Sequence, residues 1–315
     1  MSRVRKLSEV LLTKPKYVRI NTNRAREVAY LLRKQGLVLP TWDFAPFYPQ
    51  SDDFEEMCLF YLLLNSINYC YFDQDGKKFY DGKYSGSSLA SLRLTENWEE
   101  IKGPQFLAEV DENHLLSELF RAESPISMVK ERAAALREIG EFLNHNPDFT
   151  FRKFFQKCKC NAYYTSQALP TLLPTWRDPF FKRTQLFVGM VYGRFQYDEV
   201  RPFDCGLEDL TVFADYRVPQ TLIAMGIIEP TAPLLTRLHQ NQFLGSGSRK
   251  ELELRAATIL GADALMYALG EEIGDMNALH IDYLLWGAAR KKEEMPEGVF
   301  AKPWPNHHLT MSTDY

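Results

Sequence analysis

The sequence predicts a mainly α-helical protein, built as a single domain over residues 1–294 with a small β-hairpin set into it. Three observations lead there. Apolar residues recur at helical spacing along most of the chain; one stretch pairs two aromatic runs across an Asp-Gly turn; and no internal repeat or obvious linker divides the sequence. Composition agrees: of 315 residues, 45% are hydrophobic and 25% charged, the proportions of a globular protein.

Residues 3–12 and 22–35 read as helices. In the second, Val28, Ala29, Leu31 and Leu32 form an apolar stripe, and Gly36 is expected to end it. Pro40, Pro46 and Pro49 forbid regular helix, so 37–49 is expected to be an ordered loop. Another helix is expected over 53–67. The texture then changes: Asn68-Tyr69-Cys70-Tyr71-Phe72 and Lys78-Phe79-Tyr80-Asp81 flank Asp75-Gly76, a hairpin signal. Helices resume at 86–96, 104–120 and 127–144, with shorter ones over 151–155 and 162–173. The cluster Gly82 to Ser88 lacks the spacing of a phosphate-cradling loop and reads as a turn.

Pro170, Pro174 and Pro179 bracket an irregular connector, after which Phe180-Phe181-Lys182 opens a helix running through Val191. Lys182 and Arg183 at a helix start oppose the macrodipole, which favours acids there. They point either to an anion nearby or to a solvated charge pair. Residues 230–243 are helical, and Ser248 with Glu251 has the capping-box spacing for a long helix through Leu269. Arg255 lies inside the apolar pattern of that helix and needs a partner. The final helix, Ala278 to Trp286, is apolar on nearly every side with Asp282 in its middle. Such a helix is buried, and a buried Asp needs a donor, either a backbone N–H or Arg255. Residues 295–315 are Pro-rich and polar and are expected to be a loosely held tail in which His307-His308 carries no motif.

The organising stretch is Leu210 to Gln220. Leu210-Thr211-Val212-Phe213 is a short buried segment; Asp215, Tyr216 and Arg217 follow; Pro219 suits the first turn of a helix. Asp215 therefore stands just ahead of a helix N-terminus in apolar surroundings, where a carboxylate is capping, paired or functional.

Net charge is −4, which argues against a clamp for long nucleic acid. The five cysteines follow no disulfide framework, which points to the cytosol, and Cys158-Lys-Cys160 lacks the second pair a zinc site requires. The basic N-terminus leads into no signal-length apolar run, and no stretch is long and apolar enough to span a membrane. The 21 Phe, 16 Tyr and 5 Trp offer flat surfaces to a core or a planar ligand.

Asp282 and Trp286 are four apart and share a helical face, an acid beside an aromatic plate that suits a planar, nitrogen-rich ligand. Asn68 could read a heterocycle edge or cap a helix. A few Lys and Arg suffice for one phosphate, and a carboxylate facing a sugar carbon can stabilise the cation formed when a glycosidic bond breaks.

Phe213-Ala214-Asp215-Tyr216-Arg217-Val218-Pro219-Gln220 resembles the signature of the queuosine salvage protein family, the queuosine 5′-phosphate N-glycosylases. The resemblance continues through Ile67 to Phe72, Met128 to Ala133, Phe181 to Gln185 and Ile281 to Trp286. It implies a fold similar to helical DNA glycosylases and hydrolysis of queuosine 5′-monophosphate to queuine and ribose 5-phosphate, with no metal or organic cofactor and with neither long nucleic acid nor membrane as partner. By position, Asp215 resembles the catalytic carboxylate. Phe213, Asp282 and Trp286 match positions that hold the base, Asn68 and Tyr69 match the Asn-aromatic step before the hairpin, and Lys182 and Arg217 match basic positions assigned to the phosphate; Tyr216 joins the substrate-binding set. The family's histidine in the loop after Trp42 is missing from Ala45-Pro46-Phe47-Tyr48, and Tyr48 is the expected replacement. Two other classes stay open: a protein that holds queuine or a nucleotide without cleaving it, and a DNA glycosylase, which the acidic charge weakens.

Overall fold

The computed structural model describes residues 2–33, 41–199, 201–270, 276–290 and 295–315. Helix dominates, as the periodicity predicts; among the described residues the sheets are two antiparallel pairs of very short strands. The chain gathers into two compact units, one formed by 1–40 with 207–311, the other by 41–206 with 312–315.

The first unit begins with α1 (Arg3–Leu11), β1 (Val18–Ile20) and α2 (Thr22–Leu32). Asn21 caps α2, its Oδ1 accepting the Arg24 N–H at 3.0 Å. The expected helix stop Gly36 and Pro40 lie outside the described residues, whereas 41–53 carries no helix, as Pro46 and Pro49 require.

The second unit opens with α3 (Phe54–Ser66), capped by Asp53, whose Oδ1 accepts the Glu56 N–H at 2.8 Å. Then come β2 (Tyr80–Asp81), β3 (Tyr84–Ser85), α4 (Gly86–Glu96), α5 (Trp98–Ile101) and α6 (Pro104–Glu109). A π-helical turn over His114–Leu119 leads to α7 (Val129–His145), α8 (Phe151–Lys157), α9 (Ala162–Leu172) and α10 (Lys182–Phe195). Helix α3 is apolar almost all round and lies against α7 and α10, with Met57, Phe60, Leu63 and Asn65 fully buried.

Two expectations need correction here. The helix expected over 104–120 breaks at Val110, whose backbone is extended (φ −59°, ψ 129°), and Asp111 Oδ1 restarts the coil by accepting the His114 N–H at 2.9 Å. The expected hairpin pairs only beside its turn, where Phe72 bridges Lys78 antiparallel and the Phe79 N–H donates to Tyr71 O at 3.0 Å. Asp73 closes the expected turn, its Oδ1 accepting the N–H groups of Asp75 and Lys77, with Gly76 at φ 77°. A second short ladder follows, pairing Tyr80 with Ser85 and Asp81 with Tyr84. Residues 68–70 form no strand because their carbonyls are taken by cationic side chains, as described below.

The chain returns to the first unit with α11 (Val218–Met225), β4 (Ile228–Pro230), α12 (Ala232–His239), α13 (Arg249–Leu269) and α14 (Ala278–Arg290). Strand β4 pairs with β1, Val18 opposite Pro230 and Ile20 opposite Ile228, a pairing too short to leave an alternation in the sequence. Helix α13 is the unit's centre, packing on α1, α2, α11 and α14. Its fully buried Glu253 accepts the N–H groups of Lys16 and Tyr17, which fixes the entry to β1. Ser248 caps α13, though the Glu251 carboxylate reaches the N–H of Gly247 rather than that of Ser248.

The tail expected to be loose after Met295 is packed. Val299, His308, Leu309 and Thr310 are buried in the first unit, and Tyr315 in the second, where its carbonyl oxygen accepts the Cys70 N–H at 3.0 Å. Scattered apolar side chains, too irregular to show a period, supply the anchors.

Candidate active site

The described structure brings Phe213, Asp215, Tyr216, Arg217, Asp282 and Trp286 into one group within the first unit, on the 210–217 segment and the facing helix α14. Asn68, Tyr69 and Lys182 form another group within the second unit.

In the first group the segment ahead of α11 is irregular, and its backbone is held by buried polar side chains. Asp282 Oδ1 accepts the Phe213 N–H at 2.7 Å, so this buried acid has the backbone donor its position demanded. Arg255, fully buried on α13, donates its Nε–H to Ala214 O at 3.0 Å and faces Glu251 at 3.8 Å. Thr221 anchors α11 to α14 through Leu285 O, at 2.7 Å. Asp215 sits at the convergence. Its Oδ1 accepts the N–H groups of Arg217 and Val218 at 2.7 and 2.9 Å, which are orphan donors of the helix start. Only 9% of Asp215 is exposed, so its negative charge is stabilised by helix-end N–H groups rather than by bulk water. The capping role expected for this residue is real and leaves a carboxylate fixed in an apolar wall that includes Val212, Phe213 and Ala214.

Half-buried and exposed groups of the same unit are able to meet a polar ligand. Arg217 donates to Gln220 Oε1 at 3.2 Å and stands 5.6 Å from the Tyr216 ring. On α14 the Arg290 guanidinium lies 5.0 Å over the Trp286 ring, held below the usual guanidinium range by desolvation and then by the charge of Arg217. The sequence reading missed His307, whose ring packs on Tyr216 at 4.9 Å. Ninety positions separate the two residues, and no local pattern joins them. His308 is buried and its imidazole is pushed down to about 3, by burial first and then by His307 and Arg255.

In the second group, Asn68 and Tyr69 follow the end of α3. Lys182 and Arg183 are neither solvated nor paired side by side. Both are buried, Lys182 Nζ donating to Asn68 O at 3.1 Å and Arg183 Nη1 to Ser66 O at 3.1 Å. Asp178 accepts the Lys182 N–H at 2.8 Å and so caps α10 from four residues upstream. Asn68 is half-buried, and among the described residues its carboxamide has no hydrogen-bond partner. Tyr48, the expected stand-in for the missing histidine, is buried against Phe60 and Tyr61 at ring distances of 5.5 and 6.0 Å. Among the described residues, no cluster of His, Cys, Asp and Glu is arranged to hold a metal, and no helix is long and apolar enough to cross a membrane.

An α-helical scaffold holding a dry carboxylate beside aromatic and cationic side chains is the kind of site that N-glycoside chemistry uses, and the comparisons name the family. Residues 47–315 match the model of the queuosine salvage protein family, and the chain belongs to it. Relatives named queuosine 5′-phosphate N-glycosylase/hydrolase are 28% identical in Sphaerobacter thermophilus, over 89% of both chains, and 24% identical in Schizosaccharomyces pombe, over 92% of both. A Bos taurus relative of the same name is 27% identical over 74% of this chain and 72% of its own.

Proposed function

We propose that this protein is an N-glycosyl hydrolase that cleaves queuosine 5′-monophosphate, releasing queuine for reuse in tRNA modification. Family membership and the shared name of the relatives support the reaction. The observation that carries the mechanism is the Asp215 carboxylate, nearly dry and pinned by two backbone N–H groups at the start of α11.

The bond from the ribose anomeric carbon to the base nitrogen breaks with both electrons leaving on the base, so positive charge builds on the sugar. Asp215 faces that charge and orients a water, whose oxygen bonds to the anomeric carbon. One water proton passes to the carboxylate and then to solvent, and the base nitrogen takes a proton. Because Asp215 is already fixed, little reorganisation is needed as charge develops. In the first unit Asp282 binds the base by hydrogen bonds, Phe213, Tyr216 and Trp286 supply apolar and stacking surface, and Arg217 binds the phosphate, whose binding energy positions the reacting carbon; the resemblance gives Asn68 and Tyr69 of the second unit a base-binding role and Lys182 a phosphate-binding one. The reading calls on no metal or organic cofactor, and on neither long nucleic acid nor membrane as partner. None of the cysteines is bridged, which supports the cytosol as the compartment.

Incubating the purified chain with queuosine 5′-monophosphate and separating the products tests the reading. Free queuine and ribose 5-phosphate in equal amounts are expected. Binding of the nucleotide without release of base would leave a carrier, not an enzyme.

A further inference from the structure

Five successive backbone carbonyls, from Ser66 to Cys70, each accept a hydrogen bond from a buried cationic side chain. Arg183 takes Ser66 O at 3.1 Å and Lys182 takes Asn68 O at 3.1 Å. Arg132, on α7, takes the other three: Nη1 donates to Ile67 O, and Nη2 donates to Tyr69 O and Cys70 O at 2.6 and 3.0 Å. Its third nitrogen, Nε, donates to Ser127 O at 2.8 Å, and Ser127 Oγ donates in turn to Cys70 O at 2.8 Å. The Arg132 guanidinium also stands 4.3 Å from the Tyr69 ring and 5.2 Å from that of Tyr71.

This is an expensive way to hold a turn. Arg132 is fully buried and, among the described residues, its hydrogen-bond partners are carbonyl dipoles, not a carboxylate. What it secures is unusual too: the backbone is gripped on both sides of Asn68, while the Asn68 carboxamide has no partner among the described residues. A pinned main chain beneath an uncommitted amide is a preorganised reader of a ligand edge. A guanidinium suits the task because one rigid plane serves three carbonyls that a point-charged ammonium cannot reach together.

We propose that Arg132 is a positioning residue for substrate binding, fixing the direction of the Asn68 carboxamide by clamping the carbonyls of Ile67, Tyr69 and Cys70. The proposal rests on the substrate-binding role given to Asn68 above. Arg132→Lys, Asn68→Ala and the double variant are compared in the full-length protein by steady-state base release, with thermal midpoints measured alongside. Arg137→Lys is the control: on the same helix, Arg137 likewise donates to a carbonyl, Val110 O at 2.7 Å, with no reader beside it.

Arg132→Lys raises KM about tenfold with kcat within about threefold, Arg137→Lys leaves both unchanged, and Arg132→Lys adds little in the Asn68→Ala background because both losses pass through one amide. A wild-type KM in folded Arg132→Lys overturns the proposal, as do losses that simply multiply in the double variant. An unchanged KM in Asn68→Ala instead removes the role of Asn68 itself, and the proposal falls with it. Should Arg132→Lys not fold, Ser127→Ala, which deletes one bond to Cys70 O and no charge, carries the test: a raised KM supports the clamp and a wild-type KM overturns it.

Discussion

Replacing Asp215 by Asn separates two jobs that the carboxylate holds. An Asn keeps an Oδ1 that can accept from Arg217 and Val218, so the start of α11 remains capped. It loses the charge, which strengthens those bonds roughly twofold, and a stability loss of about 1 kcal/mol follows. That corresponds to a fall of about 1.5 °C in thermal midpoint for a chain of this size. The rate should suffer far more. A carboxylate about 4 Å from a developing sugar cation, at an effective dielectric of about 20, contributes about 4 kcal/mol, or about a thousandfold in turnover. The assay is chromatographic release of queuine under single-turnover and steady-state conditions, with Asp215→Ala in parallel. Ala should match Asn in lost turnover but fall further in stability, because it abandons both N–H groups. Turnover within about threefold of wild type for folded Asp215→Asn would refute the mechanism, since no side-chain charge would then face the sugar.

The other expectations concern stability. Histidine 308 should make the fold acid-sensitive: its folded value is about 3 against an unfolded value near 6.5, so stability is complete above about pH 6.5 and falls by about 1.4 kcal/mol per pH unit toward pH 3. Denaturation followed across pH 4–7 checks this, and His308→Gln should flatten that slope; an equal slope in the variant would remove His308 as the cause. Gly140 on α7 touches α6 so closely that an added Cβ would lie 2.3 Å from Ala108 N and 2.7 Å from Leu107 C. Gly140→Ala should therefore cost about 1–3 kcal/mol in urea denaturation despite its better helix propensity, and an unchanged midpoint would contradict the packing. Arg255→Met removes the charge facing Glu251 and the donor to Ala214 O, so it should cost about 3 kcal/mol and lower kcat/KM through the residue before Asp215. A stable, fully active Arg255→Met would show that the bond is dispensable.

Much of the first group was readable in advance because local chemistry and tertiary role coincide there. Pro219 at a helix start fixed where Asp215 had to stand, and an acid in an all-round apolar helix required that Asp282 find a buried donor. The resemblance then supplied a reaction that spacing alone could not choose. What stayed hidden is long-range. Strands β1 and β4 are three residues each and find each other across about two hundred positions, so neither leaves a period. Of the aromatic run 68–72 only the end nearest the turn pairs, Phe72 with Lys78, because the carbonyls of 68–70 are taken by Lys182 and Arg132, which come from helices far along the chain. Polarity in the tail concealed anchors such as Val299 and Leu309, which follow no repeat.

The pairing of Val18–Ile20 with Ile228–Pro230 also sets a timetable for the ribosome. Residues 3–32 are made first, yet the helix they pack against spans Arg249–Leu269. At roughly 5–20 residues per second the N-terminal helices wait on the order of ten to forty seconds, with Val4, Ala25, Val28 and Leu32 uncovered, before their partner is synthesised. Residues 41–206, whose partners lie almost wholly within that stretch, can settle during the delay. A message cut short in its last third would thus yield a nearly finished half joined to a sticky, unsatisfied leading segment, a natural client for chaperones and proteases.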